Sequence, residues 1–223
     1  MDTGTEEWNE LLPKANEFVL QCMWKLKWKN LSKDVVMDLR FGMYFSCSRA
    51  ILEQYPDVGC VIALNNPYII RDRSFSDKRF EKHINNEKIT FSSASIETRI
   101  SLEAYAGKID KIVSWNAFQQ IHRKERALEN VYHMLKPGGH VGMWFYLNNP
   151  EYSWPWKMKS TGKWDQYQTD PLLPYHPGTS DTKYYEETMQ EIGFRDVQIL
   201  VQSKPILYRD DRECLDKSED AIS

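Results

Sequence analysis

Apolar positions recur at three- and four-residue spacing through residues 8–27, where Leu11, Leu12, Ala15, Phe18, Val19, Cys22, Met23 and Leu26 share one face. That period predicts an amphipathic helix. The pattern then changes: Val35-Val36-Met37-Asp38-Leu39 is a short β-rich run closed by polar residues and Gly42, and predicts a first strand. Helical spacing returns over 46–54 and stops at Tyr55-Pro56-Asp57. A second apolar run, 58–64, ends in Asn65-Asn66-Pro67, a sequence suited to a turn. A polar, helix-like stretch follows to His83, then strand-like runs at 88–92 and 109–115. A helix over 123–135 is stopped by Lys136-Pro137-Gly138-Gly139. The run 141–147 is apolar on both faces, as expected of a parallel strand covered by helices.

Beyond Asn148 the periodicity weakens. Residues 151–178 are rich in Trp, Tyr and Pro and predict a helix-loop insertion. A helix over 184–192, capped by Gly193, precedes strands at 197–201 and 205–208, whose short connection predicts an antiparallel hairpin at a sheet edge. Strands alternating with helices predict an α/β fold, a doubly wound, mainly parallel sheet of seven strands with helices on both faces. The chain divides into an N-terminal helix (1–30), an alternating strand–helix half (34–148), an aromatic-rich insertion (149–182), and a helix with the edge hairpin (183–209), all within one domain, 1–223. Sheets of this kind bind ligands beyond the carboxyl ends of their strands, near the switch in strand order. Chemistry is therefore sought after the first strand and at the end of the second.

Charge narrows the partners. Twenty-nine basic residues against 32 acidic give a net charge of −3, without the clustered base that nucleic acid or an anionic membrane surface requires. No apolar run spans a bilayer and the first ten residues are acidic, so neither a signal peptide nor membrane insertion is expected. Cys22, Cys47, Cys60 and Cys214 have no metal-ligand spacing, nor do the five histidines. No metal is predicted, and the thiols read as reduced, in a cytoplasmic protein. Aromatic content is 13%, and Trp144, Phe145, Tyr146, Tyr152, Trp154, Trp156, Trp164 and Tyr167 fall close together. They suit either an apolar ligand pocket or the core.

Two segments resemble class I S-adenosylmethionine-dependent methyltransferases. One is Ile109-Asp110-Lys111-Ile112-Val113-Ser114 with the helix and Lys136-Pro137-Gly138-Gly139 that follow; the other is Val35-Val36-Met37-Asp38-Leu39 with Gly42. Trp28-Lys29, Asn148-Asn149-Pro150, Lys163-Trp164, Pro174-Tyr175-His176 and the tail Tyr208-Arg209-Asp210-Asp211-Arg212-Glu213 extend the likeness. The chain is similar to arthropod juvenile hormone acid and farnesoic acid O-methyltransferases over residues 8–217. The resemblance implies methyl transfer from S-adenosylmethionine to the carboxylate of a small apolar, isoprenoid or fatty, acid. It places Asp38, Gly42, Asn65, Ser95, Ile96 and Ser114 at the cofactor and Gln119 and Gln120 where an acceptor is positioned.

Those positions depart from the family pattern. Arg40 and Tyr44 stand where the cofactor loop carries glycine, Asn65 replaces the ribose-binding acid, and Ser95 replaces an aspartate near the adenine. Gln119-Gln120 replaces His-Trp, and a glutamine of the family's first helix aligns near Ala15. Glutamine offers no charge and no titration near neutrality. The expected protein is a methyltransferase relative of weak or lost activity. An active O-methyltransferase is one alternative; a non-catalytic apolar-ligand or regulatory module, with a protein partner, is another.

Overall fold

The helical spacing over 8–27 becomes α1, Thr3–Lys25, in a computed structural model that describes residues 3–40, 45–65, 80–147, 160–163, 181–203 and 212. The chain forms two units, Met1–Phe145 and Tyr146–Ser223. Among the described residues the first holds five strands: β1 (Val35–Arg40), β2 (Cys60–Asn65), β3 (Ile89–Ser93), β4 (Ile109–Trp115) and β5 (Leu135–Trp144). Between them lie α2 (Ser46–Gln54), α3 (Glu81–Asn85), 3-10 turns at Arg99–Tyr105 and Phe118–Gln120, and α4 (Lys124–Met134). The strands pair in parallel in the order β3-β2-β1-β4-β5. The chain thus steps outward from β1 to β3 and returns to the other side of β1 with β4. That reversal is the switch point at which such sheets bind ligands.

Side chains alternate across a strand, and paired residues of a parallel ladder share a face. Val36, Val61, Ala63, Ile89 and Val113 lie on one face and form a single buried cluster with Ala15, Phe18, Val19 and Cys22 of α1 and Ala50 and Ile51 of α2. Ala15, the position aligned with a family glutamine, is fully buried in that cluster. Met37, Leu39 and Ile112 alternate with those residues and are buried on the opposite face. The buried stripe of α4 is Ala127, Leu128, Val131 and Met134. Close contact of α1 with β5 depends on a residue without a side chain: a Cβ at Gly142 would strike Cys22 Sγ. Burial pushes the Cys22 thiol up to about 12, so it is an inert packing group.

Asp110 and Lys136, which carried the resemblance, meet at the amino ends of the strands, opposite the carboxyl edge. One oxygen of Asp110 accepts from Lys136 Nζ at 2.7 Å and from the Val35 amide at 2.9 Å. Desolvation works against the Asp110 carboxylate, but the Lys136 and Val35 hydrogen bonds and the nearby lysines outweigh it and hold its pKa below the ordinary value. Trp28 Nε1 donates to His140 Nδ1 at 3.1 Å, and burial lowers the His140 pKa, with Lys111 acting the same way and Asp34 opposing.

The structure differs from the sequence expectation in the last strands. β5 begins at Leu135, not 141: Leu135 pairs with Ile109, His140 with Lys111, and the intervening Lys136-Pro137-Gly138-Gly139 loops out of the ladder. In the second unit α5 (Thr182–Ile192) starts on Asp181, whose carboxylate accepts from the Lys183 amide, and stops at Gly193 with φ 118°. Residues 197–201, expected as a strand, form none. Ile199, Leu200 and Val201 are exposed, and strand propensity without a partner ladder does not make a strand. The described sheet therefore has five of the seven expected strands; 205–208 and most of the aromatic insertion lie outside the described residues.

Candidate functional site

The ladder registers bring Arg40, Asn65 and Ser93 level at the carboxyl edge, as they do Trp115 and Trp144. Asp38 lies two residues inside that edge and is 3% exposed. Its Oδ2 accepts from the Ser48 amide at 2.8 Å and from the Ser48 hydroxyl at 2.7 Å. Ser48 is in the first turn of α2, where unpaired amides concentrate positive potential. The carboxylate thus clamps the end of β1 to the start of α2. Gly42, Tyr44 and the side chain of Arg40 lie outside the described residues.

Asn65 closes β2 and is 1% exposed. Its backbone carbonyl accepts from Ala94, while its side-chain Oδ1 is buried without a hydrogen-bond partner among the described residues. A lone buried acceptor costs about 1–3 kcal/mol. Ser95 and Ile96 follow β3 as a tight turn: the Ser95 hydroxyl oxygen accepts from the Glu97 amide at 3.3 Å, and its carbonyl accepts from Thr98 and Ser101. Asn130 of α4, 1% exposed, fastens that turn by donating to the Ile96 carbonyl at 2.6 Å while accepting from Arg99. Glu97 accepts from the Arg123 amide at 2.7 Å, a second tie between the turn and the start of α4.

Ser114 is 1% exposed inside the β4 ladder, opposite Met143. Beyond β4, Asn116 takes a left-handed φ of 53°, which asparagine tolerates better than most residues, and its amide donates to the Trp144 carbonyl. Gln119 Nε2 donates to Asn116 Oδ1 at 2.8 Å, and Gln119 Oε1 is buried and unpartnered among the described residues. Gln120 is half-buried beside it. Lys124 Nζ donates to the carbonyls of Phe118, Gln119 and Ile121. Of the aromatic group, Trp144 stacks on Trp115 with centroids 5.9 Å apart, and Phe145 packs on Phe118 at 5.2 Å. Trp115 and Trp144 also border the α1 cluster, which favours a core role for that pair.

The structure therefore places Asp38, Asn65, Ser95, Ile96, Ser114 and Gln119-Gln120 along one edge of one sheet. Sequence reading missed Ser48, Asn116, Asn130 and Lys124, which hold those residues in place. A polar residue in the first turn of a helix was the available signal for Ser48; the other three look like ordinary surface residues. Among the described residues no cluster of three metal-binding side chains occurs, and no helix is long and apolar enough to cross a membrane.

The nucleoside cofactor implied by the resemblance can be tested against these residues. An unpartnered, buried amide oxygen at the end of β2 fits a ligand hydroxyl as donor, so Asn65 suits the ribose end in kind. It supplies one neutral acceptor where a carboxylate supplies two charged ones.

No family model matches the chain. It is similar to two proteins named juvenile hormone acid O-methyltransferase. The Drosophila melanogaster enzyme is 22% identical over 189 residues, 82% of this chain and 61% of that enzyme. The Bombyx mori enzyme is 27% identical over 209 residues, 89% of this chain and 69% of that enzyme. Among solved structures it resembles an arsenic(III) S-adenosylmethionine methyltransferase from Chlamydomonas reinhardtii, with TM-score 0.56 and 17% identity over 85% of this chain and 60% of the other.

Proposed function

For a chain with the class I S-adenosylmethionine-dependent methyltransferase fold, we propose a juvenile-hormone-acid-methyltransferase-like protein. Its cofactor site keeps its frame and loses its charge, and methyl transfer is weak or absent. The observation that carries this reading is Asn65: a buried acceptor without a partner stands at the end of β2, where the family's ribose-binding acid belongs. That this orphaned oxygen stands at the carboxyl end of β2, beside the switch in strand order, supports a retained ligand contact.

S-adenosylmethionine, when bound, supplies a methyl group on a sulfonium, and the chain's task is to orient it and exclude water. Asn65 would accept a ribose hydroxyl, the Ser95–Ile96 turn braced by Asn130 would border the adenine, and Asp38 would hold the end of β1 against the start of α2 through Ser48. The acceptor is a small apolar carboxylic acid, positioned by Gln119-Gln120. Neutral glutamines hold a carboxylate less firmly than a charged partner, which lowers transfer further.

Calorimetric titration with S-adenosylhomocysteine tests the reading. Two charged hydrogen bonds to an aspartate would contribute about 3–6 kcal/mol together and a single neutral one about 0.5–1.5. The wild type should therefore bind at least about tenfold more weakly than an Asn65→Asp variant. Low-micromolar binding by the wild type overturns the weakened site. A folded Asn65→Asp variant that binds nothing overturns the retained one.

A further inference from the structure

Lys124, the first residue of α4, is 3% exposed. Its ammonium donates to three main-chain oxygens: Phe118 at 3.0 Å, Gln119 at 3.2 Å and Ile121 at 2.9 Å. It also lies 5.3 Å from the centroid of the Phe118 ring. An ammonium has three protons and no acceptor capacity, so all its hydrogen-bonding power is directed at one four-residue turn. Lysine is almost never fully buried unless compensated. A methionine would fill the same volume without burying a charge; what lysine adds is the grip on residues 118–121. Gln119 is then held twice, its carbonyl by Lys124 and its side-chain amide by Asn116, which is itself tied to the end of β5 through Trp144.

We propose that Lys124 is a positioning residue, which fixes the turn 118–121 and with it the Gln119 amide at the carboxyl edge of β4. It acts through the turn and does not touch the substrate. The functional meaning of this brace rests on the methyltransferase-like reading, because that reading makes Gln119 the acceptor-side residue. Two glutamates act on Lys124 from the elements around it, Glu97 on the turn after β3 and Glu125 on α4 itself. Both favour the ammonium, while burial, the larger effect, pulls its pKa down to about 8. Loss of one proton removes one of the three donors, so the turn has a built-in report on its own clamp.

Nuclear magnetic resonance of the ligand-free chain tests the proposal. In the wild type the Gln119 side-chain amide and the Gln119 and Ile121 backbone amides should shift together with the Lys124 titration as pH rises from 6.5 to 9.5. In Lys124→Met that concerted shift should vanish, and those backbone amides should exchange hydrogen about tenfold faster at neutral pH, with Ala94 unchanged. Lys124→Arg, which keeps the charge on a planar fork, should recover only part of the protection. If Lys124→Met does not fold, the wild-type titration decides alone. A Gln119 amide that ignores the Lys124 titration overturns the proposal, as does unchanged exchange in a folded Lys124→Met. Neither readout needs cofactor, so failure of S-adenosylhomocysteine to bind would overturn the functional reading and leave the clamp standing.

Discussion

The hydroxyl and the backbone amide of Ser48 both donate to one oxygen of Asp38, at 2.7 and 2.8 Å, between two residues that are almost fully buried. Asp38 therefore works as a clamp on the start of α2. Asp38→Asn keeps an acceptor and loses the charge. It should lower stability by about 1–3 kcal/mol in urea unfolding, as expected when a charge-assisted pair is weakened inside the protein. Ser48→Ala, which removes only the hydroxyl, should cost about 1 kcal/mol. An unchanged midpoint for Asp38→Asn would show that the charge plays no part.

The loop inside the β4–β5 ladder makes a second test. Gly139 has no room for a side chain: a Cβ there would lie 2.9 Å from the Lys136 oxygen and 3.1 Å from the Asp110 oxygen, both main-chain atoms. Gly138 has open space around it but a φ of 77°. Gly139→Ala should therefore be the more damaging, by several kcal/mol, because backbone must move. Gly138→Ala should cost only about 1–2 kcal/mol of left-handed strain. Thermal unfolding of the two variants checks the order; equal losses would mean that the loop yields freely at Gly139.

The frame of this protein was legible because its signals are local. α2 and β4 fall where periodicity put them, at Ser46–Gln54 and Ile109–Trp115, and Asp38, Asn65 and Ser114 lie at or near the carboxyl ends of their strands. What was illegible depends on contacts distant in sequence. Pro137-Gly138-Gly139 reads as a stop, yet Leu135 before it already pairs with Ile109. Lys124 sits in Arg123-Lys124-Glu125-Arg126, a run that looks solvated, yet it is buried and bonded to the turn at 118–121. Residues 197–201 have strand composition, but composition cannot supply a pairing edge.

Lys124 also predicts a pH dependence of stability. Its pKa is about 8 in the folded chain and 10.5 when unfolded, so between these values the unfolded state binds more protons. Stability from this group therefore rises with pH across that window, because the buried charge is relieved first in the folded state. The gain should amount to a few kcal/mol at most, at about 1.4 kcal/mol per pH unit. The comparison is wild type minus Lys124→Met, measured by urea unfolding at pH 7.5 and 10. A difference that falls with rising pH would reverse the sign and place the folded pKa above its ordinary value.

Asn65 permits a test in which stability and binding move in opposite directions. Asn65→Leu replaces an orphaned amide by an apolar group of similar size. If the amide oxygen awaits a ligand, the ligand-free protein should gain about 1–2 kcal/mol, since an unsatisfied buried acceptor is removed. Binding of S-adenosylhomocysteine should be lost in the same variant. Asn65→Asp should do the reverse, lowering the stability of the ligand-free chain by burying a carboxylate and raising affinity at least about tenfold. This opposition is what separates a ligand contact from a turn residue: a turn that needs the asparagine amide is weakened by leucine, and its unfolding midpoint drops. A fall in the midpoint of Asn65→Leu would therefore return Asn65 to a purely structural role and leave the proposed cofactor site without its main support.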